Sequence, residues 1–227
     1  MKVENFEVLP STQDYVKERR ALGKDLIVTA KCQTGGKGTK GRSFSSNEGG
    51  VYLSKLTFYE KFLAKEAFKI MAGAAVAVCE TVRNFGIKAV IKWPNDIFVN
   101  GKKIAGILIE NTFSGKNIYS SIVGIGLNVN NTLPVELVEI ATSMKLETGK
   151  SFSVDEVRDT LIDELSKAHG MKKYLSYLGY MGREATLLIG DERVHGTLLF
   201  VDEEGGLTVE INGEKRRLTA AEVSVRL

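Results

Sequence analysis

The chain has 227 residues, with 31 Lys and Arg against 28 Asp and Glu, a formal charge of +3. So small an excess argues against a dedicated nucleic-acid binder, whose basic surplus is larger and clustered. Two cysteines, Cys32 and Cys79, and two histidines exclude a disulfide scaffold and a Cys-based zinc site, and argue against catalytic zinc. The N-terminus is no signal peptide, and no apolar run approaches the ~18 residues of a membrane helix. The expectation is a reduced, cytoplasmic, soluble protein with no membrane partner.

In chain order, residues 3–9 read as a short strand. Ser11 or Thr12 caps a helix from about 12 to 22, which Gly23 ends. Residues 25–31 form a buried strand by their β-branched content. Residues 34–50 contain six Gly, three basic residues and one acidic residue, a loop long enough to need a functional reason. A strand over 51–58 and a largely apolar, buried helix over 64–85 follow. Then come AVIKW before Pro94, DIFVN before the hairpin signal Asn100-Gly101, KKIAGILIENTF, and NIYSSIVGIGLNVN. Strands after long helices, joined by hairpins, predict an α+β fold: a mixed, largely antiparallel sheet with helices on one face. The capping box Ser153-x-x-Glu156 opens a helix to about 169 or on through Tyr177. From Glu184 only short strands and turns remain, which predicts a small β-barrel. The domains divide as 1–179 and 180–227.

Four segments carry candidate chemistry, each with a plainer reading. Backbone N–H groups of the glycine-rich loop, with Lys37, Lys40 and Arg42, suit phosphate; the alternative is a mobile solvated loop. It is no Walker A loop, since no Gly-Lys-Ser/Thr opens a helix. Lys92-Trp93-Pro94-Asn95-Asp96 puts an amide and a carboxylate after a bend fixed by Pro; the alternative is an ordinary turn. Lys103 precedes Ala105 and Gly106, which leave room on a sheet for a ligand; the alternative is an edge-strand lysine that deters aggregation. Gly124 and Gly126, at alternate positions of an apolar strand, clear one face for a ligand or a helix. Cys32 and Cys79 read as small core residues.

Together these segments resemble the biotin protein ligases (biotin–[acetyl-CoA-carboxylase] ligases), in order through nearly the whole chain. Ser11-Thr12-Gln13 is similar to that family's Ser-Thr-Asn/Gln. The run from Gln33 to Arg42 is similar to its Gln-x-x-Gly-Arg-Gly-Arg-x-Gly-Arg loop. Lys92 to Asp96 matches its KWPND without change, and Lys103 to Glu110 is similar to its Lys-Leu-Ala-Gly-Ile-Leu-Val-Glu. Gly124 to Asn130 and Ala141-Thr142-Ser143 also fit. The last 45 or so residues resemble its SH3-like cap, and the first part its catalytic fold, akin to class II synthetases.

The resemblance implies a two-step reaction: biotin and ATP give biotinyl-5′-AMP, and a lysine of a biotin carboxyl carrier protein domain then takes the biotin. It implies catalytic roles for Lys103, Arg42 and Asp96. It places Ser11, Thr12, Gln13, Gln33, Lys37, Gly38, Thr39, Lys103, Gly106, Gly124 and Gly126 at biotin. Lys37, Arg42, Phe44, Trp93, Asn95 and Asn128 fall at ATP or the adenylate. Mg²⁺ is expected with the ATP phosphates and not in a protein metal site. A homodimer is expected, and no DNA partner, because the motifs begin at residue 11 and leave no room for a winged-helix domain. Two departures stand out: the usual Arg-Gly-Arg is Lys37-Gly38-Thr39, which removes one charge and Arg's bidentate fork, and Phe44 replaces the usual Trp. Both imply a looser hold on the adenylate. The rival readings are a lipoate or octanoate ligase or transferase of the same architecture, and a non-enzymatic nucleic-acid-binding module.

Overall fold

The computed structural model describes residues 1–226. Its larger sheet has seven strands: β1 (Lys2–Leu9), β2 (Leu26–Gln33), β3 (Val51–Phe58), β4 (Val90–Lys92), β5 (Asp96–Val99), β6 (Lys102–Ser114) and β7 (Asn117–Leu127). Their order is β1-β2-β3-β7-β6-β5-β4; β1 runs parallel to β2 and every other pair is antiparallel. The β5–β6 hairpin turns at Asn100 and Gly101, which both have positive φ (48° and 81°), the geometry of a two-residue turn that matches strand twist.

Alternation along the strands makes two apolar faces. Ile27, Leu53, Val123 and Ile125 face one way, into the main core. Val28, Leu56 and Ile122 face the other way, into a smaller cluster with Val16. The main face is covered by α2 (Phe68–Asn84), α4 (Val154–Glu164) and α5 (Met171–Tyr177). Ala72, Ala74, Ala75 and Ala77 are buried in α2, and such short side chains let a helix lie close on a sheet. Among the described residues the opposite face carries only one helix, α1 (Thr12–Glu18), so the long helices share one face as expected and a short one takes the other.

Three boundaries differ from the sequence expectation. The first helix ends at Glu18 and a tight turn, Arg20–Leu22, carries the chain to Gly23. The expected helix after Ser153 is two helices, broken before Gly170. An additional short helix, α3 (Met144–Thr148), is capped by the Ser143 hydroxyl. Five residues hold too little periodicity to read from sequence.

The C-terminal strands are β8 (Glu184–Ile189), β9 (Glu192–Val201), β10 (Leu207–Ile211), β11 (Glu214–Leu218) and β12 (Val223–Arg226). They form one antiparallel sheet in the order β11-β10-β9-β8-β12. The expected barrel is an open sheet here: among the described residues β11 pairs only with β10, and β12 only with β8. The inner side chains Leu187, Leu198, Leu207 and Val209 join the same apolar cluster as α2 and the larger sheet.

Candidate active site

The site lies on the α1 face of the larger sheet. The chain leaves β1 through Pro10, and Ser11 caps α1 by accepting a hydrogen bond from the Asp14 N–H at 3.3 Å. That start aims Thr12 and Gln13, both about 4% exposed, at the sheet floor. Ser54 of β3, fully buried, meets them there. Thr12 donates its N–H to the Gln33 side-chain oxygen at 2.8 Å, and its hydroxyl lies 2.9 Å from that of Ser54. Gln33 donates to the Ser46 hydroxyl at 2.8 Å, which joins this polar end to the glycine-rich loop.

Beyond the polar end the floor is glycine. A Cβ at Gly124 would overlap Gln13, one at Gly126 would overlap the Phe44 ring, and one at Gly106 would crowd Lys103. With Phe44 lying there, a narrow slot of about 40 Å³ remains; Gly38 and Thr39 also line it. The loop over it is folded on itself: Gly38 N–H donates to Arg42 O and Phe44 N–H to Gly36 O. Lys37 pairs with Asp14 of α1 at 2.6 Å, closing one side.

At the far end of the slot Lys103 Nζ lies 2.6 Å from Asp96 Oδ1, and Lys92 Nζ lies 3.9 Å from Asp96 Oδ2. The Lys103 contact is an ion pair by distance but is poorly aligned as a hydrogen bond, so that buried carboxylate oxygen has no aligned donor. Burial holds the Lys92 ammonium below its usual pKa; Asp96 opposes this, while Lys103, Arg42 and Arg226 add to it. Lys103 sits on β6 between β5 and β7, so it is no edge-strand lysine.

The slot adjoins a cleft of about 820 Å³ between the glycine-rich loop, the start of α2, the Lys92–Asp96 bend and the C-terminal sheet. Lys40, Arg42, Lys65, Lys92, Arg217 and Arg226 line it, against the carboxylates Asp96 and Glu204. Such a wall favours a polyanion. Trp93 donates its indole N–H to Gly205 O at 3.0 Å, and Lys40 donates to the Ser224 hydroxyl at 2.8 Å, so both sheets build the cleft.

The structure brings together most of the residues singled out from sequence. Ser11, Thr12, Gln13, Gln33, Lys37, Gly38, Thr39, Phe44, Asn95, Lys103, Gly106, Gly124 and Gly126 line the slot; Arg42, Trp93, Asn95 and Asp96 line the cleft. Arg42 is outside the slot, and its guanidinium bonds back to Thr39. Asn128, expected near the nucleotide, lines neither cavity; its amide donates to Thr142 O and accepts from Asn131. These bonds pin the chain just after β7. Cys79 is buried, and burial pushes its thiol up to about 12, whereas Cys32 is half-buried. Sequence reasoning assigned no role to Ser54, Lys92 or Glu110. Ser54 had a signal: a short hydroxyl side chain between Leu53 and Lys55, following the buried start Val51-Tyr52-Leu53 of a strand.

Fold, slot and basic cleft together define a ligase that works on a small organic cofactor. The chain belongs to the biotin/lipoate A/B protein ligase family, whose profile matches residues 5–128. Within the family it is similar to the bifunctional ligase/repressor BirA of Bacillus subtilis, 33% identical over 96% of this chain and 72% of that protein. It is also similar to the biotin–[acetyl-CoA-carboxylase] ligase of Paracoccus denitrificans, 27% identical over 89% of this chain and 91% of that one. Among solved structures, the biotin protein ligase from Aquifex aeolicus in complex with biotin and ATP aligns over 100% of this chain and 97% of its own, with a TM-score of 0.80 and 27% identity.

Proposed function

We propose that this protein is an ATP-dependent biotin protein ligase, joining biotin through biotinyl-5′-AMP to a lysine of a biotin carboxyl carrier protein domain. The observation that carries this reading is the meeting of the polar-ended slot and the basic cleft at Lys103, Asp96 and Lys92. Biotin's ureido head fits the end built by Thr12, Gln13, Gln33 and Ser54. Its apolar chain fits the glycine floor of Gly106, Gly124 and Gly126, once the Phe44 ring moves aside.

In the first step a biotin carboxylate oxygen attacks the α-phosphorus of ATP. The new O–P bond forms as the bond to the β-phosphate oxygen breaks, and pyrophosphate leaves. Two anions must approach, so fixed positive charge is the main requirement. Lys103 and Lys92 supply it at the junction; Arg42 and Lys37 supply it from the loop. Asn95, whose amide donates to Ile107 O at 2.8 Å, lines both cavities beside the nucleotide. In the second step the neutral carrier amine attacks the anhydride carbonyl carbon and AMP leaves with the bonding electrons. Asp96 is the carboxylate at the junction to receive the amine's proton. Mg²⁺ bound to the substrate triphosphate would neutralise part of its charge. The cleft's carboxylates Asp96 and Glu204 are paired with Lys103 and Arg217.

A cytoplasmic setting, a homodimer and a catalytic part over 1–179 with a C-terminal part over 180–227 belong to the same proposal. The half-exposed free thiol of Cys32 supports a reducing compartment. No helix among the described residues is long and apolar enough to cross a membrane. The test is incubation with ATP, Mg²⁺ and either biotin or lipoate, with mass detection of the adenylate. Biotinyl-AMP from biotin alone is expected; lipoyl-AMP formed as readily, or no adenylate, would overturn the reading.

A further inference from the structure

The polar end of the slot is a hydrogen-bond relay, and its direction is set from outside. Glu110 on β6 does not line the slot. One of its carboxylate oxygens accepts from the Gln13 amide at 2.9 Å, and the other from Lys17 at 2.9 Å. An ionised carboxylate only accepts, so only the NH₂ end of Gln13 can face it. The Gln13 carbonyl therefore points inward over Gly124, where it accepts the Ser54 hydroxyl at 3.2 Å. Ser54 has one proton, now committed to Gln13. The Thr12 hydroxyl, 2.9 Å from that of Ser54, donates to Gln33 Oε1 at 3.0 Å, which also accepts the Thr12 N–H at 2.8 Å. The Ser54 proton is thus sent outward, through Gln13 toward Glu110, and the Thr12 proton to Gln33. Lone pairs remain on the Thr12 and Ser54 hydroxyls for a ligand's donors.

We propose that Glu110 is a positioning residue: it fixes the direction of this relay and so makes the slot select a ligand head that carries N–H donors. A head of sulfur or carbonyl oxygen alone would meet lone pair against lone pair. The inference rests on the biotin reading, since a cyclic urea brings two N–H groups. It goes further by naming an outer carboxylate as the source of selectivity.

The test compares biotin with an N-methylated biotin that lacks one ureido N–H, in the wild-type protein, Glu110→Gln and Lys17→Met. An amide at 110 can donate or accept, so it no longer enforces a direction. Glu110→Gln is expected to raise KM for biotin about tenfold, the scale of one misdirected buried hydrogen bond. KM for ATP and kcat should hold, and the preference for biotin over its methylated analogue should shrink. Lys17→Met keeps the acceptor and should keep the preference. An unchanged preference in Glu110→Gln would overturn the proposal, as would a parallel loss in kcat and both KM values. If that variant does not fold, Gln13→Met must lose the same preference, and its retention there would be equally fatal. A wild-type protein that forms no biotinyl-AMP would sink the biotin reading instead, before any variant is compared.

Discussion

At Lys103, position on the sheet underlies the proposed role. An ammonium on an inner strand, beside a carboxylate and opposite glycine, is held in place without being buried by neighbours. The same logic governs the floor. Gly126 matters for the atoms it omits: the Phe44 ring already fills the space a Cβ would take. Gly126→Ala is therefore expected to leave the fold intact but raise KM for biotin about tenfold or more, as a single misplaced methyl group does in a tight pocket. Steady-state kinetics would check this. Adding Phe44→Ala should not restore KM, because ligand and ring need the same space; full restoration would show that only the ring does. These glycines were legible in the sequence because strand alternation puts them on one face. The place of Lys92 was not, since the cleft it lines is completed by the distant C-terminal sheet.

At the scale of elements, the glycine-rich loop and the α2–α5 pair behave differently. The loop is closed by its own backbone bonds and by exposed ionic contacts such as Lys37 with Asp14. Contacts of that kind are individually weak. Amide exchange over residues 34–48 is expected to be fast in the free protein and slowed by biotin with ATP. Equal protection in both states would contradict a closing loop. The α2–α5 pair is tied by Glu80, which accepts from Lys173 and Tyr177, each at 2.5 Å. Burial pushes the Glu80 carboxyl up, but the bonds from Lys173 and Tyr177 outweigh it and hold it below its usual value near 4.5. A carboxyl depressed in the folded state contributes stability above about 4.5, and loses it as pH falls through the depressed value. Glu80→Gln should lower the denaturant midpoint at neutral pH and flatten its decline in acid. Parallel curves for the two proteins would refute this. Helix existence was legible from apolar periodicity, but the break before Gly170 was not, because the apolar pattern runs on to Tyr177 while capping ends α4 at Glu164.

For the whole molecule, one core runs through both sheets. Trp93 bonds Gly205, and the Phe68 ring packs where a Cβ at Gly205 would go. A small sheet of this size buries too little surface to stand alone. Here it shares the catalytic core and lends Arg217, Ser224 and Arg226 to the cleft. Thermal unfolding is expected as a single transition, and a chain truncated after residue 182 should lose adenylate formation as well as stability. Two separate transitions would contradict a shared core. The change to short strands near residue 180 was plain in the sequence. The open sheet in place of a barrel was not, because whether β11 and β12 meet is set by long-range packing and leaves no local pattern.

If Lys103 neutralises charge as two anions react, pyrophosphate release reads its loss. The wild-type protein should release pyrophosphate from ATP in step with biotin consumed. Lys103→Ala, with an unchanged unfolding curve, should slow that release by roughly 10²–10³, the range for removing one transition-state charge partner. Release within a fewfold of wild type would rule out that role for Lys103.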